Sequence, residues 1–442
     1  MDSVPPGLQK TRIGFHYFPD TLHYRDVDLN TWLPELQALA ASWLTLQAPL
    51  NRAIPEPFIR QLCEHEIQPV IHFPYPTNQL PSLEDFNLLC QSYARWGAHY
   101  VVLFDRPNQR INWSAAAWAQ SNLVERFLDI FQPLALVAAQ AGLTPVFPPL
   151  EPGGDYWDTA FLRAAFEGLQ RRNQAQILER LAISCYAWSN GHPLNWGAGG
   201  PERWPGAHPY ETPRGTEDQR GFRIFDWYLA LSEAVFGERR PILCLAGGAL
   251  PDEKSSDLPS QESPHTTQNL LISRLIMGEK VALDPIPAEL LAFNFWLLTS
   301  ANDHPAGRAA WYQADGAILP AVSALQHWAA EHHWSTTPVT RPLPVRSDKS
   351  TAHRPIAHYL LIASADGAMS DWQLKVIRYF ANKYHPTIGF SPVEAVLANR
   401  VTVLGDQEQL PDSILDGLLA AGCVVDDLRG DGTTIATRLQ EY

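Results

Sequence analysis

The sequence is poor in cysteine, and the few cysteines do not form a pattern. There are five in 442 residues, an odd number, and they stand far apart at Cys63, Cys90, Cys185, Cys244 and Cys423. Several lie inside apolar runs, which favours buried free thiols in a reducing compartment over a disulfide framework. No two of them have the spacing of zinc ligands, so the sequence indicates neither a metal site nor a cofactor.

Basic residues and long apolar runs are also scarce. The chain has 33 Lys and Arg against 47 Asp and Glu, a formal net charge of −14, which argues against nucleic acid or an anionic membrane as a partner. Its richest apolar run, Leu290–Leu298, is too short to span a bilayer. The first residues lack the pattern of a secretory signal, which favours a cytoplasmic protein; a secreted chain whose signal had been removed would look the same.

What the chain does contain is a regular succession of short apolar strands, each followed by a helical stretch. Such strands, without apolar–polar alternation, are typical of a parallel sheet buried on both faces. Eight strand-then-helix units predict a TIM (β/α)8 barrel, an α/β fold whose sites lie on the strand-to-helix side. The predicted strands are Ile13–Phe18, Trp43–Gln47, Pro69–Phe73, Tyr100–Phe104, Thr144–Phe147, Ala182–Tyr186, Ile242–Leu245 and Phe293–Leu298.

Two domains are predicted. Residues 1–340 are predicted to form the barrel. Residues 341–354, which contain proline, serine and alternating charges, are predicted to be a linker. Residues 355–442 contain strands and helices of a small Rossmann-like α/β domain with a parallel sheet, including a helix at Pro392–Asn399 opened by Ser391 as its cap.

The fourth strand ends in an unusual polar sequence. Tyr100–Phe104 runs directly into Asp105, Arg106 and Pro107. This resembles the fourth strand of the cellulase-like retaining glycosidases with (β/α)8 barrels, which ends Asn-Glu-Pro and whose Glu is the general acid/base. Here Asp105 stands in place of the Asn and Arg106 in place of the Glu. An arginine does not lose its proton near neutral pH, so it is no acid/base.

The seventh and eighth strands extend the resemblance. The family carries its nucleophilic Glu at the end of the seventh strand, whereas here Pro241–Ala249 has no carboxylate and places Ala246 there. The segment Gly307–Leu325 resembles the closing segment of those barrels, and Trp296 corresponds to an aromatic sugar platform on the eighth strand. The retaining mechanism needs two carboxylates about 5 Å apart. The resemblance therefore implies a pseudoenzyme, a carbohydrate-recognising barrel that has lost both.

An active hydrolase remains the alternative at this stage. Candidate catalytic acids on the strand-to-helix side are Asp105, Glu151, Asp155 and Asp303. An inverting glycosidase could use two of them across a wider gap. Carboxylates in loops also commonly accept hydrogen bonds from backbone amides or pair with arginines, and the adjacent Arg106 favours an ion pair with Asp105.

The loop after the sixth strand is rich in tryptophan, asparagine and histidine. Indole faces stack on the C–H faces of sugars, and polar side chains bind the hydroxyls, although the same tryptophans could pack the loop onto the barrel as a lid. Together with the strand ends, the predicted substrate-binding residues are His16, His72, Arg106, Asn108, Tyr186, Trp188, Asn190, His192, Trp196 and Trp296. An oligo- or polysaccharide is the expected partner.

The C-terminal domain carries a second resemblance. The strand Val401–Leu404, followed by a helix, by Cys423–Leu428 and by Arg438, is similar to one unit of the bacterial cell-wall-binding repeat. That resemblance implies binding of a cell-wall polymer by this domain. A third hypothesis follows, in which the small domain binds the polymer and the barrel only supports it.

Overall fold

The computed structural model describes residues 11–332 except 253–258 and 302–303, and then residues 354, 356–363, 377–378, 380–381, 383–405, 410–430, 434–435 and 438. The predicted linker, apart from Arg354, and the candidate acid Asp303 lie outside these residues. The chain divides into two compact units, Met1–Ala48 with Pro57–Pro338 and Pro49–Glu56 with Val339–Tyr442.

The first unit is a closed barrel of eight parallel strands, which confirms the predicted TIM barrel. Each strand pairs with the next along the chain, and β1 pairs with β8 to close the sheet. The strands are β1 Ile13–His16, β2 Trp43–Gln47, β3 Gln68–Phe73, β4 Tyr100–Leu103, β5 Thr144–Phe147, β6 Ala182–Trp188, β7 Ile242–Gly248 and β8 Leu290–Phe295.

Helices cover the outside of the barrel. They are α1 Asp26–Ala38, α2 Glu56–Glu64, α3 Leu83–Trp96, α4 Ala115–Trp118, α5 Leu123–Gln140, α6 Asp158–Arg172, α7 Ala175–Leu178, α8 Gly200–Arg203, α9 Ile224–Phe236, α10 Pro264–Ile276 and α11 Pro320–Glu331. Burial of apolar side chains on both faces of the sheet stabilises this arrangement, at about 1.5–3 kcal/mol for each large side chain. In the described part of the chain, no helix has the length and apolarity needed to cross a membrane.

The barrel interior is filled from all sides by large side chains. Trp43, Val70, Tyr100, Val102 and Leu243 are among the buried residues that pack together in one cluster. Outside the sheet, Phe127 of α5 lies edge-on to Phe147 of β5, with ring centroids 5.8 Å apart. Burial on both faces explains why these strands show no alternation of apolar and polar residues.

Five of the predicted strands end at other residues in the structure: β4 ends at Leu103, β6 at Trp188 and β7 at Gly248, and β1 and β8 also differ. β1 stops at His16 rather than at Phe18, and β8 covers Leu290–Phe295 rather than Phe293–Leu298. Trp296 therefore follows the eighth strand instead of lying on it. The shift arises because β8 pairs with β1 through Phe293, Asn294 and Phe295, and the pairing ends there.

The second unit contains a four-stranded parallel sheet in the order β10-β9-β11-β12. Its strands are β9 Ile356–Ile362, β10 Thr387–Gly389, β11 Ala398–Leu404 and β12 Val424–Asp427, with helices α12 Pro392–Ala395 and α13 Asp412–Ala420. This confirms a small parallel α/β layer. Its resemblance to a cell-wall-binding repeat stays a prediction.

The helix predicted at Pro392–Asn399 is wrong in its second half. Ser391 does cap the first turn, accepting a hydrogen bond from the Glu394 amide, but the helix ends at Ala395. From Ala398 the chain is extended, because it pairs with β9 beginning at Ile356. Tertiary strand pairing overrides the local helical preference of this segment.

Gly14 is the point on β1 where a side chain would not fit. A Cβ there would collide with Asn294 Oδ1 and lie 2.6 Å from Trp43 Cβ and 2.8 Å from Trp43 O. We therefore expect Gly14→Ala to lower the free energy of unfolding by about 1–3 kcal/mol, because neither neighbouring strand can move aside.

Calorimetric unfolding tests this expectation, with Gly417→Ala on α13 as the control. A Cβ at Gly417 meets nothing within 4 Å, so alanine there should stabilise its helix by about 1 kcal/mol or less. A Gly14→Ala protein as stable as the natural one would show that the barrel is more loosely packed at β1 than the structure indicates.

Candidate functional site

The carboxyl ends of the strands meet at one end of the barrel, and we call the side chains gathered there the mouth. These are His16 at the end of β1, His72 on β3, Asp105 and Arg106 after β4, Glu151 after β5, Tyr186 and Trp188 on β6, and Trp296 after β8. Parallel strands deliver all their carboxyl ends to the same face, so residues far apart in sequence come together. Two groups of contacts organise them.

The first group is an ionic cluster formed by Asp105, Arg106, Glu151 and Tyr186. Arg106 Nε donates to Asp105 Oδ2 at 2.9 Å, and a terminal nitrogen of its guanidinium lies 3.5 Å from Glu151 Oε2. The Tyr186 hydroxyl donates to the other oxygen of Asp105, at 2.6 Å, and the guanidinium carbon lies 5.5 Å from the Tyr186 ring centroid. Asp105 thus has both oxygens engaged, one by the guanidinium and one by the phenol.

Burial and charge act in opposite directions in this cluster. Burial alone would lower the pKa of Arg106, but Asp105, Tyr186 and Glu151 outweigh it and raise that pKa. Arg106 therefore stays protonated and cannot act as a general acid or base. Burial raises the pKa of Glu151, although Arg106 acts against it. Burial raises the pKa of the Tyr186 phenol, and the negative charge of Asp105 raises it further. The phenol therefore keeps its proton and remains a hydrogen-bond donor.

The backbone around Asp105 is held in an unfavourable conformation. Phe104 and Arg106, on either side of it, have φ values of 68° and 43°, in the left-handed region that favours glycine. Each such residue costs about 1–2 kcal/mol. The Arg106 amide donates to Pro149 O at 2.9 Å, and Asn112 Nδ2 donates to the Asp105 and Arg106 carbonyls, so the surrounding loops fix the segment. Strain of this kind is concentrated at functional sites.

The second group is an aromatic row formed by Tyr186, Trp188, Trp296 and His16. The rings of Tyr186 and Trp188 are stacked with centroids 6.1 Å apart, and Trp188 meets Trp296 edge-on at 6.2 Å. Trp296 in turn contacts His16 at 4.7 Å. The row runs across β6, β8 and β1 beside the ionic cluster, and Tyr186 belongs to both. Trp188 and Trp296 are partly exposed.

Two histidines form the floor of the mouth, His16 and His72. His72 Nε2 lies 3.0 Å from Phe104 O and donates to it, which leaves Nδ1 as an acceptor. Burial and the neighbouring His72 lower the pKa of His16 to about 3, and burial lowers the pKa of His72, so both rings are neutral at neutral pH. The Nδ1 atoms of both rings are buried without a partner among the described residues, and that of His72 is an acceptor because its Nε2 carries the proton.

Four other predicted binding residues are held within loops. Asn108 is fully buried, and both the nitrogen and the oxygen of its side-chain amide form hydrogen bonds. It donates to Glu151 O and Tyr156 O and accepts from the Glu151 backbone amide, which joins the loop after β4 to the loop after β5. Trp196 donates to Asp218 and stacks on His192 at 4.0 Å. Asn190 is exposed and donates to a backbone carbonyl. The contacts of Trp196, His192 and Asn190 lie within the loop after β6, whereas those of Asn108 join the loops after β4 and β5.

The remaining candidate acids differ in position. Asp155 is exposed and accepts from the Arg110 amide at 2.8 Å, outside the ionic cluster. At the end of β7, Ala246 is fully buried and is followed by Gly247 and Gly248 in the strand. Among the described residues, no group of three or more His, Cys, Asp and Glu side chains is arranged to hold a metal ion.

Sequence reasoning missed the residues that hold the long loop after β6. Asp218 accepts from Trp196 Nε1 at 3.1 Å and from Arg220 Nε at 2.8 Å, and also binds the Thr212 hydroxyl. Asp158, fully buried, accepts from Gln219 and Tyr228 and joins this loop to α6 and α9. No local pattern marks either aspartate, because its partners are distant or depend on the loop conformation.

Comparison with solved structures finds distant similarity to glycoside hydrolases. A GH128 (subgroup II) endo-β-1,3-glucanase from Sorangium cellulosum is 14% identical, with a TM-score of 0.40, covering 71% of this chain and 97% of that one. An endo-β-1,4-glucanase from Xanthomonas axonopodis pv. citri is 10% identical, with a TM-score of 0.42, covering 73% of this chain and 99% of that one.

A third solved structure covers most of both chains. It is a GH5_18 protein from Streptomyces cattleya in complex with Manb1-4GlcNAc, 12% identical with a TM-score of 0.38, covering 96% of this chain and all of that one. No family model matches the sequence, and no curated protein matches it.

The Tyr186 hydroxyl is the link between the ionic cluster and the aromatic row. Tyr186→Phe removes its 2.6 Å hydrogen bond to the Asp105 carboxylate and keeps the ring. We expect the free energy of unfolding to fall by about 1.5–3 kcal/mol, because this is what a hydrogen bond to a charged group usually contributes to stability.

The control is Tyr75→Phe, measured in the same denaturant titrations. Tyr75 is also buried, but its hydroxyl has no partner among the described residues, so its removal should be neutral or stabilising. Equal effects of the two substitutions would mean that the phenol of Tyr186 does not hold Asp105.

Proposed function

We propose that the mouth binds an oligosaccharide and does not hydrolyse it by the retaining double displacement. The observation that carries this proposal is the aromatic row lying directly beside the ionic cluster. Indole faces bind the apolar faces of pyranose rings, while carboxylate, guanidinium and imidazole groups bind their hydroxyls. The two kinds of surface that sugar recognition requires are thus adjacent.

The same geometry supports the loss of double displacement. That mechanism needs one carboxylic acid to protonate the leaving group and a second carboxylate to attack the anomeric carbon. Arg106, in the position of the acid, is held protonated by two carboxylates. The end of β7, the position of the nucleophile, carries Ala246 and two glycines, which have no nucleophilic group.

Sugar binding should depend on the two partly exposed indoles of the aromatic row. Trp188→Ala and Trp296→Ala are each expected to weaken binding by about 1–3 kcal/mol, because each removes a stacking face. Isothermal titration calorimetry with cellohexaose, laminarihexaose and mannohexaose, three neutral hexasaccharides of different linkage or sugar, measures this.

Trp204→Ala is the matched control for these titrations. Trp204 lies in the loop after β6, but its indole donates to Ala198 O at 2.9 Å and belongs to the loop packing. Its removal should leave the affinity unchanged. If none of the three hexasaccharides binds to the natural protein, or if the Trp188 and Trp296 variants bind as tightly as it does, the mouth is not a sugar site.

One observation favours hydrolysis as a second candidate function. Glu151 is only partly buried, and its raised pKa is the property of a general acid. If Glu151 acted in this way, hydrolysis would fall as the pH rises through its pKa, because only the protonated form can donate. An inverting reaction would need a second carboxylate to activate water, and Asp105 is the nearest in the cluster.

Release of reducing ends from the same hexasaccharides distinguishes the two functions. We expect no release by the natural protein. Hydrolysis that declines with rising pH and is abolished by Glu151→Gln, with Glu211→Gln unaffected, would replace the binding function with the hydrolase. Glu211 suits as the control because it is an exposed carboxylate on the loop after β6.

A further inference from the structure

We infer that the mouth selects uncharged saccharides and rejects those carrying carboxylates, such as uronic acid oligomers. This inference rests on the proposed function and adds the substrate class to it. It starts from the ionic cluster, where the guanidinium that an acidic sugar would need is already occupied. Arginine is the preferred partner for carboxylates because it can bind both oxygens.

Carboxylates face the guanidinium of Arg106 on two sides. Its Nε and one terminal nitrogen both lie 2.9 Å from Asp105 Oδ2, and the other terminal nitrogen faces Glu151 Oε2 at 3.5 Å. A sugar carboxylate approaching this guanidinium would have to displace an internal carboxylate and leave it unpaired. Displacing Asp105 in this way is unfavourable, because its side chain is only 15% exposed and its charge would lose a partner where little water reaches it.

With both of its carboxylates ionised, the mouth carries a net negative charge. The ionic cluster contains two carboxylates and one guanidinium, and the Tyr186 phenol is neutral. The imidazoles of His16 and His72 add no positive charge, since burial keeps both neutral at neutral pH. Among these residues an acidic sugar therefore meets net repulsion, whereas a neutral sugar finds hydrogen-bond acceptors in the carboxylates.

Cations farther out do not change this balance. Arg220, on the loop after β6, is paired with Asp218 at 2.6 Å. Arg110 and Arg214 are exposed on loops, where water and salt screen their charge. Recognition of the sugar unit that enters the mouth is thus governed by the ionic cluster and the two histidines.

The test compares two ligands of the same stereochemistry and linkage, mannohexaose and the hexamer of β-1,4-linked mannuronate, by calorimetry at low salt. They differ only in the group at C6, a hydroxymethyl or a carboxylate. We expect mannohexaose to bind at least about tenfold more tightly, because like charges placed together cost several kcal/mol. Added salt should reduce the difference.

Two variants make the test specific. Glu151→Gln has nearly the same shape and frees one side of Arg106, so it should lower the preference for the neutral ligand by about threefold or more. Glu211→Gln makes the same change of net charge on the exposed part of the loop after β6, and it should leave the preference unchanged. Circular dichroism shows whether each variant has kept its fold.

The outcomes separate this inference from the proposed function. Binding of mannohexaose with rejection of the mannuronate hexamer, relaxed only by Glu151→Gln, supports both. Binding of the mannuronate hexamer as tightly as mannohexaose, or a preference unchanged in Glu151→Gln, overturns the selectivity and leaves the sugar site standing. If neither hexamer binds, and cellohexaose and laminarihexaose do not bind either, the proposed function itself fails.

Discussion

The arrangement of the mouth depends on the pairing of Arg106 with Asp105 and Glu151. A guanidinium that has left bulk water needs its charge compensated, and removing one partner of such a pair destabilises a protein far more than the pair itself stabilises it. The pair is built on strained backbone at Phe104 and Arg106, whose cost the ionic and hydrogen-bonding contacts offset. Because Asp105 also binds the Tyr186 hydroxyl, the pairing fixes one end of the aromatic row.

Two carboxylates at the positions of Arg106 and Ala246 would not fit the surroundings that these residues have. At β4, Arg106 is part of a cluster that would leave two carboxylates unpaired if the cation were removed. At β7, Ala246 is fully buried, and a glutamate there would bring a carboxylate into a closely packed strand end. Introducing carboxylates at both positions would therefore require changes in the residues around each of them.

The barrel could be predicted from the sequence because its signal is local: short apolar runs, helices between them, and long loops on one side. The neighbours Asp105 and Arg106 could be predicted as an ion pair for the same reason. The hydrogen bond from Tyr186 to Asp105 could not, since it joins residues 81 positions apart and depends on how β4 and β6 are placed around the barrel. The hydrogen bonds of the Asn108 amide, and the one from Trp196 to Asp218, also depend on the tertiary structure. Composition alone could not show that these two side chains bind other parts of the protein instead of a sugar.

Four tryptophans differ in what their indole groups do: Trp196 and Trp204 in the loop after β6, Trp188 on β6 and Trp296 after β8. Trp196 and Trp204 donate their indole N–H groups to other residues of the same loop, and these hydrogen bonds stabilise the loop. Trp188 and Trp296 instead keep partly exposed faces in a row whose members restrain one another. A ligand that stacks on side chains already held in place loses less conformational entropy on binding than one that must order them.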